Sequence, residues 1–208
     1  MTQPTREGRI ILDLCGGSGS WGKPYSDAGY RVILVTLPEN DVRTYQPPAN
    51  VHGILAAPPC DEFSIAKDHR LTRNLSKGME IVQACMRIVE ETKPVWWAME
   101  NPAGHLRRLL GPHQFSFQPY EFGNAWTKRT LLWGEFNKPK KVYRRYEDVP
   151  KIAGLYVRPG RKTASLAFNH LSHKKLIREL DPFTAHNDAS FRAITPPGFA
   201  QAFFEANP

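Results

Sequence analysis

Two residues of this chain carry chemistry that packing does not call for, and each follows an apolar run. Ile54-Leu55-Ala56-Ala57 stops at Pro58-Pro59 and then presents Cys60. Apolar residues bounded by breakers predict a short buried strand whose ladder the prolines end, so Cys60 stands just past a strand end. Val95-Trp96-Trp97-Ala98-Met99 predicts a second buried strand, running into Glu100-Asn101-Pro102. A thiolate is a nucleophile, and a nearby carboxyl is a general acid or base. In open α/β sheets the carboxyl edge is where ligands bind. A lone free cysteine is most often an inert core residue. A glutamate is seldom buried unpaired, and the recurrence of a chemical residue at two strand ends is what points to a site.

The elements that must position these groups begin with Arg9 to Cys15, a predicted buried strand, followed at once by Gly16-Gly17-Ser18-Gly19-Ser20. A glycine-rich turn after a strand lets backbone approach a ligand closely. Pro24 and Gly29 bracket a short helix, and the β-branched run Arg31 to Leu37 predicts the second strand. Strand, glycine loop, helix, strand is the opening half of a nucleotide-type α/β fold. Gly17-x-Gly19-x-x-Gly22 also fits the dinucleotide fingerprint, but Thr36 stands where that fingerprint expects an acid, with Glu39 and Asp41 a few residues on. Leu75 to Glu91 places Ile81, Val82, Cys85, Ile88 and Val89 on one helical stripe, which assigns Cys85 to the core. Gln114 to Gln118 and Lys128 to Gly134 predict two further strands. Thr195-Pro196-Pro197-Gly198 opens a last helix with Phe199, Ala202 and Phe203 on its apolar face.

Composition bounds the partners. The 208 residues suffice for one core domain and a small insert, with expected boundaries of 1–135 for the α/β core, 136–191 for the insert and 192–208 for a returning helix. A hydrophobic share of 41% and a charged share of 23% are those of an ordinary globular protein. No apolar run approaches the ~20 residues of a membrane span, and Met1 to Arg9 is too polar for a secretory signal, so a cytoplasmic location is expected. The 3 cysteines form no CxxC pair and match no histidine spacing, so neither a disulfide framework nor a metal site is expected. Of the net +8, the segment Lys138 to Arg178 holds 12 basic against 2 acidic residues, a local +10. Such an excess suits a polyanion such as nucleic acid, against the plainer reading of a solvated surface. Lys140, Lys141, Arg144, Arg145, Arg161 and Lys162 are its candidate phosphate contacts, and His170 and His173 read as surface or phosphate contacts rather than ligands.

At this point the chain resembles the DNA cytosine-5 methyltransferases, in particular the short phage and prophage type, from Ile10 to Gly134 and again from Arg192 onward. Asp13-Leu14-Cys15-Gly16-Gly17-Ser18-Gly19 is similar to the first cofactor motif, which wraps the methionine part of S-adenosylmethionine. Asp41-Val42-Arg43 resembles the segment whose acid contacts the adenine amino group, and Thr36 stands where the family has its ribose acid. Pro58-Pro59-Cys60, with Phe63 and Ser64 after it, is similar to the nucleophile motif. Glu100-Asn101 resembles the motif whose acid grips the target base, Arg129 falls where a catalytic arginine precedes the last strand, and Thr195-Pro196-Pro197 is similar to the closing motif that returns to the cofactor pocket. The segment from Phe136 to Phe191 takes the place of the target-recognition region. The resemblance implies a Rossmann-like class I S-adenosylmethionine-dependent methyltransferase fold, a mostly parallel sheet with helices on both faces plus a small basic insert. It implies Cys60, Glu100 and Arg129 as catalytic residues. Asp13 to Gly19, Thr36, Asp41, Pro58 and Thr195 would serve the cofactor, Ser64 and the basic side chains would serve double-stranded DNA, and no metal is needed.

These residue types suit that chemistry. Carbon 5 of cytosine is too weak a nucleophile to take a methyl group unaided, and thiolate addition at carbon 6 makes the ring an enamine. A protonated Glu100 at ring nitrogen 3 neutralises the charge that builds up, and the base must leave the duplex to be reached at all. Three rivals stand beside this reading. An exocyclic-amine DNA methyltransferase would end the strand in an aromatic rather than a nucleophile, a catalytically silent DNA-binding regulator would not need Cys60 and Glu100, and a nicotinamide oxidoreductase is opposed by Thr36. Because a ligand that binds the native state raises its apparent stability, S-adenosylmethionine and its demethylated product should raise the melting temperature while NAD leaves it unmoved. The reverse pattern in a thermal-shift titration would hand the glycine loop to the oxidoreductase.

Overall fold

A computed structural model describes residues 7–65, 73–153, 155–165 and 194–208. His170, His173, Arg192 and the basic residues Lys174, Lys175 and Arg178 lie outside the described residues. Strand β1 (Ile10–Leu14) is buried at every position, as an apolar run in the middle of a parallel sheet must be. It pairs in parallel with β2 (Arg31–Val35) on one side and with β3 (Val51–Ala56) on the other. Strand β4 (Trp96–Pro102) continues the sheet in parallel beyond β3. Strand β5 (Phe115–Phe117) closes the far edge, separated from β4 by β6 (Thr130–Glu135), which runs antiparallel to both. The order is β2-β1-β3-β4-β6-β5, the Rossmann-like, mostly parallel α/β sheet that the sequence implies. The chain leaves β1 toward β2 and returns across it to β3, so the switch point, where a crevice opens beyond the strand ends, lies between β1 and β3.

Strand alternation sorts the core into two faces. Leu12, Ile54, Met99 and Leu131 pack with Val82, Cys85, Ile88 and Val89 of α2 (Leu75–Thr92). Ile11, Leu55, Ala98 and Leu132 pack on the other face with Trp21, with Tyr25 of α1 (Lys23–Asp27), and with Phe199 and Phe203 of the last helix. Helix α2 starts at Asn74, whose side chain accepts from the Lys77 N–H at 3.0 Å, and ends at Lys93 in the left-handed conformation. A short α3 (Leu106–Leu110) follows β4, and α4 (Pro197–Ala206) returns to the sheet. No helix among the described residues is long and apolar enough to cross a membrane.

The structure alters the expected elements in ways that bear on the site. Strand β4 does not end at Met99; it carries Glu100 and Asn101 within it to Pro102, because β6 supplies ladder partners as far as Pro102↔Thr130. Strand β6 starts at Thr130 rather than Lys128, and β2 stops at Val35, short of Leu37. The two central antiparallel strands approach so closely that a Cβ at Gly134, where φ is 139°, would lie 2.1 Å from the Trp97 carbonyl oxygen. The described part of the basic segment is packed on the core rather than projecting from it. The Val142 and Tyr143 N–H groups both donate to the Glu121 carbonyl, and the buried Tyr146 hydroxyl donates to the Ala125 carbonyl at 2.9 Å.

The Phe199 ring stacks on Phe117 at 3.8 Å, tilts against Trp21 and meets Phe122 edge-on, so α4 closes one face of the core through this residue. Phe199→Ala should cost about 3–5 kcal/mol in urea unfolding, as buried aromatic truncations do. A loss below about 1 kcal/mol would mean that α4 contributes little to that face.

Candidate active site

Asp13 faces the α1 and α4 side of β1 and is fully buried. Its Oδ2 accepts from the Gly22 N–H at 3.3 Å, while Oδ1 has no hydrogen-bond partner. Burial pushes this carboxyl up to about 7, opposed by the Gly22 bond. The glycines above it have a steric reason: a Cβ at Gly16 would lie 2.2 Å from Asp13 Oδ1, and one at Gly22 would lie 3.0 Å from Oδ2. Cys15, Gly17 and Gly19 all take positive φ, and the Gly19 N–H closes a tight turn on the Gly16 carbonyl at 3.0 Å. Ser18 continues the turn, its Oγ accepting from the Ser20 N–H at 3.3 Å. Cys15 donates its N–H to Val35 at 2.8 Å, and its thiol is hydrogen-bonded with Cys85, which with burial pushes the Cys85 thiol well up.

Two bonds bring distant segments to this loop. The Thr195 N–H donates to Ser20 Oγ at 2.9 Å, and the Ala57 N–H donates to the Leu14 carbonyl at 2.9 Å, just ahead of Pro58. The β2 side behaves differently. Thr36 accepts the Asn40 N–H in a local turn, and Asp41 is gripped by the Arg43 guanidinium at 2.5 and 2.9 Å. Those hydrogen bonds pull Asp41 down to about 2. Glu39 is exposed.

The nucleophile loop is pinned at both ends. Buried Pro58 accepts from Asn101 Nδ2 at 2.9 Å, which ties the end of β3 to β4. The Cys60 carbonyl accepts from the N–H groups of Phe63 and Ser64, and Phe63 is fully buried. The Phe63 carbonyl accepts from the His105 N–H at 2.8 Å, and Arg73 holds the Ser64 carbonyl at 2.8 Å. Cys60 is thereby held half-buried, with its thiol pushed up by burial, lowered by Lys128, and raised again by Glu100 and Asp61. Glu100 faces the same side of the sheet as Ala98 and Leu132; its Oε2 is sealed from solvent without a partner, and so is Asn101 Oδ1. Burial pushes the Glu100 carboxyl up, and Lys128 lowers it.

Because β1, β3 and β4 run parallel side by side, the glycine loop after β1 and Cys60 after β3 lie at the same sheet edge as Glu100 near the end of β4. Among the described residues, the cation that acts on both Cys60 and Glu100 is Lys128. Arg129 is exposed, and its backbone carbonyl accepts from the Ala103 N–H at 2.9 Å. Sequence reasoning passed over Lys128, although strand parity was available to find it: Lys128, Thr130 and Leu132 share a face, and Leu132 pairs with Glu100. Among the basic candidates, Lys140, Arg144, Arg161 and Lys162 are exposed, and Arg145 is exposed but paired with Asp148 at 2.7 Å. Lys141 is exposed as well; it donates to the Ser116 carbonyl and to Glu121, both at 2.9 Å, and lies over the Phe115 ring. No cluster of His, Cys, Asp and Glu fit to hold a metal ion occurs among the described residues.

The family model described as C-5 cytosine-specific DNA methylase matches residues 25–110, a span that holds both Cys60 and Glu100. Among solved structures, one described as a DhpI-SAM-HEP complex is similar at 12% identity with a TM-score of 0.33, covering 62% of this chain and 63% of that chain. The chain thus spans less than two thirds of that structure's length. Comparison with curated proteins found no match.

Asp13 also sets a pH dependence. Its folded value of about 7 lies above the unfolded 3.8, so the stability its protonated form permits is complete below pH 4 and is lost as pH rises through 7. Asp13→Asn, always neutral, should match the parent near pH 4 and exceed it at pH 8 by on the order of 2–4 kcal/mol, from about 1.36 kcal/mol per unit. Urea unfolding at the two pH values reads this, and a difference that does not change with pH would contradict it.

Proposed function

We propose, on the premise that residues 25–110 belong to the C-5 cytosine-specific DNA methylase family, that this chain is a DNA cytosine-5 methyltransferase. It acts on double-stranded DNA, takes its methyl group from S-adenosylmethionine, and works in the cytoplasm of a bacterium or phage-infected host. The observation that carries the reading is the junction of Pro58 with Asn101, which sets a nucleophile and a buried carboxyl side by side next to the glycine loop.

The residues around β1 fit the donor. A turn without side chains at Gly16, Gly17 and Gly19 leaves backbone open to a ligand, and the unpartnered Asp13 Oδ1 lies beneath it. Asp13, Leu14, Cys15, Ser18, Pro58 and Thr195 would complete this side of the pocket, and Thr36 and Asp41 the β2 side, where Asp41 shares its carboxylate with Arg43. When bound, S-adenosylmethionine supplies an electrophilic methyl group. The work of the chain is to prepare the base for it.

The target cytosine leaves the duplex, at a cost of a few kcal/mol in unstacking. Cys60 Sγ, as thiolate, forms a bond to carbon 6, and the ring electrons move toward nitrogen 3. Glu100, whose burial favours its protonated form, delivers a proton there, so no net charge remains on the ring. Carbon 5 becomes an enamine carbon; after methylation it loses its proton to water, the electrons of that bond form the ring double bond as the carbon–sulfur pair leaves on sulfur, and nitrogen 3 returns its proton to Glu100, so both Cys60 and Glu100 are restored. Residues 1–135 act as the catalytic core, 136–191 as the target-recognition insert, and 192–208 as the segment completing the cofactor pocket. Ser64, Lys140, Lys141, Arg144, Arg145, Arg161 and Lys162 would meet phosphates, which would offset the flipping cost.

Carbon 5 of 5-fluorocytosine has no proton to lose, so duplex DNA carrying that base, with donor present, should become trapped on the protein as a covalent adduct. Cys60→Ala should form none in a denaturing gel, and an equally stable adduct on that variant would remove Cys60 from the role.

A further inference from the structure

The reading above leaves a difficulty within the site. Cys60 must become a thiolate although burial, Glu100 and Asp61 all oppose it, and Glu100 must stay protonated to act as an acid. We infer that Lys128, rather than Arg129, is the counter-ion of the reaction centre, poised to balance one negative charge shared between the Cys60 thiol and the Glu100 carboxyl. This inference rests on the proposed methyltransferase reading for its purpose, but not for its test.

Geometry carries it. In the antiparallel pairing of β4 with β6, Glu100 opposes Leu132 and Pro102 opposes Thr130. Side chains directly opposite share a face, and continuing that alternation beyond the start of β6 assigns Lys128, two residues ahead of Thr130, to the face of Glu100, where its charge acts on both Glu100 and Cys60. Arg129 has the parity of Leu131 and Asn101, the α2 face, and its side chain is exposed. The Lys128 backbone is fixed on both sides, its N–H donating to Gln118 Oε1 at 3.0 Å and its carbonyl accepting from Thr130 Oγ1 at 3.0 Å. The preceding Thr127 is locked by its N–H and its hydroxyl, both donating to the Ala164 carbonyl at 2.9 Å. Glu100 Oε2, meanwhile, is a buried acceptor without a hydrogen-bond partner.

Among the described residues, the charged and titratable groups around Cys60 are Asp61 and Glu62 on its own loop, Arg73 at the Ser64 carbonyl, His105 beside Phe63, Glu100 on β4, and Lys128 ahead of β6. Glu62 is taken up by the Asn74 N–H at 2.7 Å and Arg73 by Ser64. One lysine charge then balances either a thiolate with a protonated Glu100 or a thiol with an ionised Glu100. These two states hold the same number of protons, and the first is the one that attacks carbon 6 and protonates nitrogen 3. Removing the lysine charge takes away the one cation among the described residues that acts on both groups, so the doubly protonated, unreactive state is favoured.

The test needs neither DNA nor donor. The rate of iodoacetamide alkylation at Cys60 is followed against pH by peptide mass spectrometry, with Cys15 in the same digests as an internal reference for folding. Lys128→Met and Lys128→Gln should both move the Cys60 profile to higher pH and slow alkylation at pH 8 roughly tenfold, the scale of losing one neighbouring opposite charge. Lys128→Arg should restore the parent profile, and Arg129→Met should leave it in place. If both neutral variants keep the parent profile, or if Arg129→Met moves it instead, the assignment is overturned. Because 5-fluorocytosine trapping is scored separately, failure here with trapping intact removes Lys128 alone. A shifted profile without trapping removes the methyltransferase reading and keeps the counter-ion.

Discussion

Strand parity is the constraint on which the site depends. Each strand turns alternate side chains to opposite faces, so the register between strands decides which chemical groups can meet. Asp13 shares its face with Ile11, Glu100 with Ala98 and Leu132, and that face is the one closed by α1 and α4. Asn101 points to the α2 side and spends its amide on the Pro58 carbonyl. A slip of one residue between β4 and β6 would exchange Glu100 for Asn101, and a neutral amide cannot give up the proton that a carboxyl can. The close backbone approach at Gly134, which no side chain there would allow, helps to hold that register.

The burial of ionisable groups at this edge runs against stability. Asp13 and Glu100 each leave one carboxyl oxygen without a hydrogen bond, and both are pushed toward their protonated forms. A core selected for stability alone would replace or pair them. The two carboxyls nevertheless differ in kind. Asp13 lies under a glycine turn that conforms to it, whereas Glu100 lies within reach of a lysine and a thiol.

Much of this was legible in the sequence, and the reasons for the rest are physical. The glycine loop after an apolar run, Cys60 after two prolines, and Glu100 after Met99 announce themselves because breakers and rare buried acids interrupt otherwise uniform apolar stretches. The extension of β4 through Pro102 was hidden, since it depends on β6, a partner some 30 residues away in the chain. Lys128 and Arg129 are adjacent cations, and only a known register separates them. Lys141 sits in a run that reads as phosphate-binding, and its bonds to Glu121 and the Ser116 carbonyl are tertiary contacts that charge counting does not see.

The hydroxyl of Tyr25, in the first helix, donates to the carbonyl of Asn207 at 2.8 Å, and Trp21 packs edge-on against Phe203. On a ribosome this has an effect in time. One side of the nascent sheet has α2 to cover it early, but the other must wait for α4 to emerge. Until then Tyr25, Leu55 and Trp96 stay open to solvent, in a chain whose central contacts are already long-range and slow to form. That face is thus closed by segments far apart in the chain, and the long loop between α1 and α4 must be drawn together before it is covered.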